Sequence, residues 1–134
     1  VHDLLQPGQH GTTFGGNPLA AAVGLAVIGT MVEEGLLQHT QRAGDQLAQA
    51  ITALAEPRIS GVRGEGLLRG IALTEPIAPA VITAALEAGF ILNAPDPSTL
   101  RLAPPLIITE AELATFTAAL PGLLDAATTA EGAR

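Results

Sequence analysis

Apolar positions in the middle of the chain return at helical spacing. Leu47, Ile51 and Leu54 form one stripe, with Arg42, Asp45, Gln46 and Gln49 on the opposite side. This pattern predicts an amphipathic helix over roughly Leu36 to Ala55, closed by Pro57. Upstream, Leu19 to Met31 is apolar or small all round. Asn17 is suited to cap that helix and Pro18 to occupy its first position, while Gly35 offers a stop. A helix with no polar face is expected to be buried on every side. Ala20 and Gly24, four residues apart, would let another backbone come close. Residues Val1 to Gly16, broken by Pro7, Gly8, Gly11, Gly15 and Gly16, read as loop.

Downstream the period changes to two. Ile59 to Val62 and Leu67 to Leu73 read as strands around a Gly64-Glu65-Gly66 turn. Leu67, Arg69, Ile71 and Leu73 share one face of the second strand, and Leu68, Gly70 and Ala72 the other. A short helix is predicted from about Pro79 to Ala88, ending at Gly89. Phe90 to Asn93 then reads as a strand, Pro95-Asp96-Pro97-Ser98 as a turn, and Leu100 to Ala103 as a strand stopped by Pro104-Pro105. Thr109 with Glu112 makes a capping box for a last helix, whose core face is Leu113, Phe116, Leu120 and Leu124. A kink is expected at Pro121, and a frayed tail from Thr128.

Strands joined by short turns, with helices segregated among them, argue an α+β fold. The expected architecture is a small, mostly antiparallel sheet covered by helices on one face and preceded by a long buried helix.

Composition narrows the chemistry. Of 134 residues, 48% are hydrophobic, which excludes disorder over most of the length. The core must be built largely from Ala and Leu, since the chain holds three Phe and neither Trp nor Tyr. The net charge of −7 argues against nucleic acid as a partner, because affinity there comes from neutralising phosphates. With no cysteine, a disulfide framework, a zinc-thiolate site and a cysteine nucleophile are all excluded. His2, His10 and His39 are too scattered for a metal site, so no metal is expected. The longest uncharged stretch, Gly11 to Val32, is interrupted by Gly15, Gly16, Asn17 and Pro18. Its uninterrupted remainder, from Leu19, falls short of the roughly 20 residues that span a bilayer. No membrane is therefore expected as a partner, and a cytoplasmic location is the default. Entry on a loop-like segment at Val1 is expected of a fragment or a trimmed chain.

Two segments could carry chemistry. In His10-Gly11-Thr12-Thr13-Phe14-Gly15-Gly16-Asn17-Pro18, paired hydroxyls are delivered by a glycine-relieved loop onto a helix start. Hydroxyl donors, free first-turn amides and the helix dipole together suit an anion. An ordinary loop whose threonines satisfy nearby backbone groups fits the same residues. In Leu100-Arg101-Leu102-Ala103-Pro104-Pro105-Leu106, an arginine stands on a short strand beside a rigid Pro-Pro. It could take a carboxylate bidentately, or serve only in a surface ion pair.

Both segments, the first continued by Leu19-Ala20-Ala21-Ala22, resemble the class III (ornithine-type) aminotransferases, pyridoxal-phosphate enzymes of fold type I. The likeness runs from about His10 to Leu124. It implies that Thr13 contacts the phosphate of pyridoxal 5'-phosphate in the partner subunit of a homodimer, that Thr12 lies near substrate, and that Arg101 binds the α-carboxylate of an amino- or oxo-acid. It further implies that residues 1–35 end a large domain as a cofactor-contacting loop and buried helix, while residues 36–134 form the small domain. Val62-Arg63-Gly64-Glu65-Gly66-Leu67-Leu68 also matches the family and is taken as architecture, with no catalytic role for Arg63 or Glu65.

The six basic residues are all arginines, so no lysine is present. The family's Schiff-base lysine is therefore absent from this chain, which is expected to hold no catalytic residue and to be inactive alone. The implied reaction is transamination with 2-oxoglutarate. N-acetylornithine is the favoured donor, in arginine biosynthesis, and ornithine or another ω-amino acid is the alternative. A stand-alone, non-catalytic binding or dimerisation module also remains open.

Overall fold

The computed structural model describes residues 11–132, with side chains through Thr129; His2 and His10 lie outside the described residues. By its internal packing the chain divides into two compact units that meet at Leu36 and Leu37.

The described part of the first unit is a short loop and helix α1 (Pro18–Glu33). Asn17 caps the helix, its Oδ1 accepting the Ala20 N–H at 3.0 Å, and Pro18 stands in the first turn as the Asn-Pro step predicts. The helix stops at Gly35, whose φ of 63° lies in the left-handed region. The expected burial is not met among the described residues. None of the α1 residues is buried, and Leu19, Val23, Leu25, Val27, Ile28 and Val32 are between 53% and 76% exposed. An all-apolar surface sets a demand for cover, and the described residues of this unit do not satisfy it.

The second unit carries α2 (Leu36–Ala53), β1 (Ile59–Glu65), β2 (Leu68–Leu73), α3 (Ala78–Glu87), β3 (Asn93–Asp96), β4 (Thr99–Leu102) and α4 (Glu110–Gly132). The strands form one antiparallel sheet in the order β1-β2-β4-β3. The fold is therefore the expected α+β arrangement. Helix α2 buries Ala43, Leu47 and Ile51, α3 buries Val81 and Ala85, and α4 buries Leu113, Phe116, Leu120 and Leu124. All meet Leu67, Ile71 and Leu73 at β2 and Leu100 and Leu102 of β4 in one core. Each such aliphatic side chain contributes about 1.5–3 kcal/mol on burial. Phe90 and Phe116 add an edge-to-face pair with ring centroids 5.6 Å apart.

Several boundaries differ from the sequence pattern. The strand expected at Phe90 to Asn93 lies later, at Asn93–Asp96, and the turn narrows to Pro97 and Ser98. Pro95 lacks the N–H of a central strand and is tolerated because β3 is an edge. Strand β1 continues to Glu65, with Glu65 opposite Leu68, so the turn falls at Gly66 and Leu67. Helix α4 continues through Pro121 and past Thr128 to Gly132, so its tail is helical where fraying was expected. Its start is the expected capping box: Glu112 Oε2 accepts the Thr109 N–H at 2.8 Å, and Thr109 Oγ1 accepts the Glu112 N–H at 3.3 Å. That exchange holds the Glu112 carboxyl below its ordinary pKa, chiefly through the Thr109 hydroxyl.

Two arginines fasten the core's periphery. Arg69, 8% exposed, donates to Gly66 O at 2.7 Å, Gly64 O at 2.9 Å and Asp45 Oδ1 at 2.8 Å, tying the β1–β2 turn to α2. Gly44 on α2 makes that approach possible, because a Cβ there would collide with the Gly66 carbonyl. Arg58 grips Glu56 with two bonds of 2.7 and 2.8 Å and reaches Asp125 Oδ1 on α4 at 2.8 Å. The Arg58 side-chain hydrogen bonds draw the Glu56 carboxyl down to about 2.

Candidate functional site

The loop before α1 presents Thr12 and Thr13 exposed, with neither hydroxyl bonded to another described residue. Its shape follows from its glycines. The Thr12 methyl lies over Gly15, where a Cβ would collide with it, and Gly16 takes a φ of +72°. Asn17 closes the loop from inside: its Nδ2 donates to Phe14 O at 2.6 Å while its Oδ1 serves the helix. Fewer free amides remain in the first turn than the sequence implied. Pro18 has none, Ala20 is capped by the Asn17 side chain, and Ala21 donates to Asn17 O at 3.0 Å. An anion here would be met by the threonine hydroxyls more than by the helix end.

Arg101 stands on β4 between buried Leu100 and Leu102, and alternation along the strand sends its side chain to the face away from the helices. It pairs with Gly70 of β2 on one side and Asn93 of β3 on the other. The ion pairs between described residues engage Arg58 and Arg69, so Arg101 is exposed with no carboxylate bound to it among the described residues. After β4 the chain turns away through Pro104-Pro105. Ile108 O accepts the Nε2–H of His39 at 2.8 Å, which fixes this segment to the start of α2.

Thr12 and Thr13 thus belong to the first unit and Arg101 to the second. Sequence reasoning set Arg63 aside, yet it shares the open sheet face with Arg101. Its Nη2 donates to Thr99 Oγ1 at 3.1 Å. The motif run gave no sign of this, because the facing positions come from β2 and β4.

A model of the family Aminotransferase class-III matches residues 1–124, and the chain belongs to that family. The chain is 53% identical over 131 residues to the acetylornithine aminotransferase of Streptomyces coelicolor, an alignment that takes in 97% of this chain and 33% of that protein. Among solved structures, the acetylornithine aminotransferase from Elizabethkingia anophelis superposes with a TM-score of 0.78 at 36% identity, covering 91% of this chain and 33% of that one. The ornithine aminotransferase from Toxoplasma gondii, described with partial occupancy of PLP at its active site, gives a TM-score of 0.77 at 31% identity, covering 94% of this chain and 31% of that one. The chain spans about a third of the length of these relatives.

Proposed function

We propose that this chain is the C-terminal part of a cytoplasmic, pyridoxal-5'-phosphate-dependent aminotransferase. The parent enzyme would move the amino group of N-acetylornithine to 2-oxoglutarate in arginine biosynthesis, yielding N-acetylglutamate semialdehyde and glutamate. The observation that carries the reading is the 53% identity to the Streptomyces coelicolor acetylornithine aminotransferase across 97% of the chain.

The residues present fit the cofactor's anionic end, since Thr12 and Thr13 offer outward hydroxyls from a loop that Asn17 braces. Thr13 would hold the phosphate in the partner subunit of a homodimer, and Thr12 would lie against substrate. Bound pyridoxal phosphate supplies the electron sink for moving a proton at the amine-bearing carbon. Arg101, with no carboxylate bound to it among the described residues, would take the substrate carboxylate and orient the molecule. The exposed apolar surface of α1 supports a helix that is covered by the rest of the enzyme or by a second subunit. The covalent lysine would come from outside these 134 residues, which contain none, so the chain alone would be inactive.

The full-length protein, supplied with pyridoxal phosphate, tests this reading. With 2-oxoglutarate it should form glutamate from N-acetylornithine with a kcat/KM about tenfold or more above that for ornithine. Preference for ornithine would move the enzyme to the alternative substrate, and a folded protein inert toward both would refute the assignment. The reading frame upstream of Val1 should encode a large domain with a lysine some tens of residues before His10. A start codon at Val1 would instead leave a non-catalytic module.

A further inference from the structure

The open face of the sheet carries a second arginine in register with the first. Arg63 of β1 pairs with Gly70 of β2, and Gly70 pairs with Arg101 of β4, so the three form one row across the strands. Adjacent strands are about 4.8 Å apart, which puts the two arginine backbones roughly 10 Å from one another. Arg63 does not stay above its own strand. Its stem crosses Gly70, where a Cβ would touch Arg63 Cγ and Nε at 3.5 and 3.6 Å, and its Nη2 ends on Thr99 Oγ1 of β4 at 3.1 Å. Thr99 lies two residues before Arg101 on the same face of the same strand and is only 5% exposed. The guanidinium of Arg63 has thereby been carried across the sheet toward Arg101.

Neither guanidinium is neutralised by a carboxylate among the described residues. Glu65, on the same strand and face as Arg63, forms no ion pair with it. Two uncompensated cations on one face repel each other, and an anion between them relieves that repulsion. A glycine between them leaves the floor flat. We propose that Arg63 and Arg101 form a two-arginine seat for a ligand carboxylate, floored by Gly70. Arg63 binds the anion through its charge and the N–H donors that the bond to Thr99 leaves free. The inference rests on the reading of Arg101 as the carboxylate-binding residue and extends it to Arg63.

The test uses the full-length protein and glutarate, a dicarboxylate that cannot be transaminated, with binding read by calorimetry. Arg63→Gln should weaken glutarate about tenfold or more, the effect of losing a charge-assisted hydrogen bond. KM for both carboxylate substrates should rise while kcat is largely retained. Arg63→Lys should recover binding to within about threefold of the parent, and Thr99→Val, which keeps the charge but removes the acceptor, should stay in the same range. Wild-type affinity in Arg63→Gln would overturn the seat. So would an equal loss in Thr99→Val, which would make Arg63 a brace for β4. If Arg63→Gln does not fold, Arg63→Met keeps the stem across Gly70 and is read in the same way. Arg101→Met separates the two readings: should it bind glutarate normally, the assignment of Arg101 itself fails. Should it lose binding while Arg63→Gln does not, only the inference fails.

Discussion

The two faces of the sheet use arginine in opposite ways. Arg69 and Gly70 are consecutive on β2, and they pair with Leu102 and Arg101 on β4. On the helix-covered face, Arg69 uses its donors on the Gly66 and Gly64 carbonyls and Asp45. On the open face, Arg101 and Arg63 hold no carboxylate among the described residues. A guanidinium that is spent on the fold confers rigidity, and one that is unspent is available to a ligand. Burial and partner inventory separate the two roles where residue type cannot.

The sharpest way to break that comparison is to remove each arginine in the full-length protein. Arg69→Met should destabilise by about 2–4 kcal/mol in urea denaturation, because two backbone carbonyls and Asp45 lose a charged donor. A loss below that of Arg101→Met would collapse the distinction. Next, Gly44→Ala should cost about 1–3 kcal/mol, since the added methyl pushes α2 off the Gly66 carbonyl and opens the Arg69 tie. Substrate KM should be little changed if the inner face is purely architectural.

Acid probes the second structural arginine. Glu56, with its carboxyl at about 2 when folded against an ordinary 4.5, adds stability that is present in full above 4.5. That contribution disappears as pH falls from 4.5 through 2, because the unfolded chain takes up the proton first. In Glu56→Gln this part of the acid dependence should vanish, as followed by unfolding midpoints across that range. The smallest effect is expected at Arg101→Met, within about 0.5 kcal/mol of the parent in stability, because its side chain holds no carboxylate among the described residues.

Alternation carries much of the fold. Leu67 to Leu73 reveals which residues of β2 face inward, and the spacing of Leu47 and Ile51 reveals the buried side of α2. Arg69 stands on the inward side of that pattern, but its partners on α2 and in the turn are matters of tertiary approach. Strand β3 escapes the pattern because Asn93-Ala94-Pro95-Asp96 has no apolar alternation and is held in the sheet by pairing with β4. Thr12, Thr13 and Arg101 stand out through family likeness, since hydroxyls in a loop and one strand arginine are ordinary when met alone. Arg63 does not stand out at all, because nothing local to its motif shows Gly70 and Thr99 beside it.

The edges of the sheet have their own consequence. Strand β3 is four residues long and contains Pro95, and β1 slips register between Ile59 and Gly61. A proline cannot offer its N–H to an incoming strand, and a slipped register presents no straight ladder to extend. Sheet growth is therefore self-limiting at four strands. A chain so rich in aliphatic side chains can leave one sheet face free of its own unit's helices without that sheet becoming a template for its neighbours.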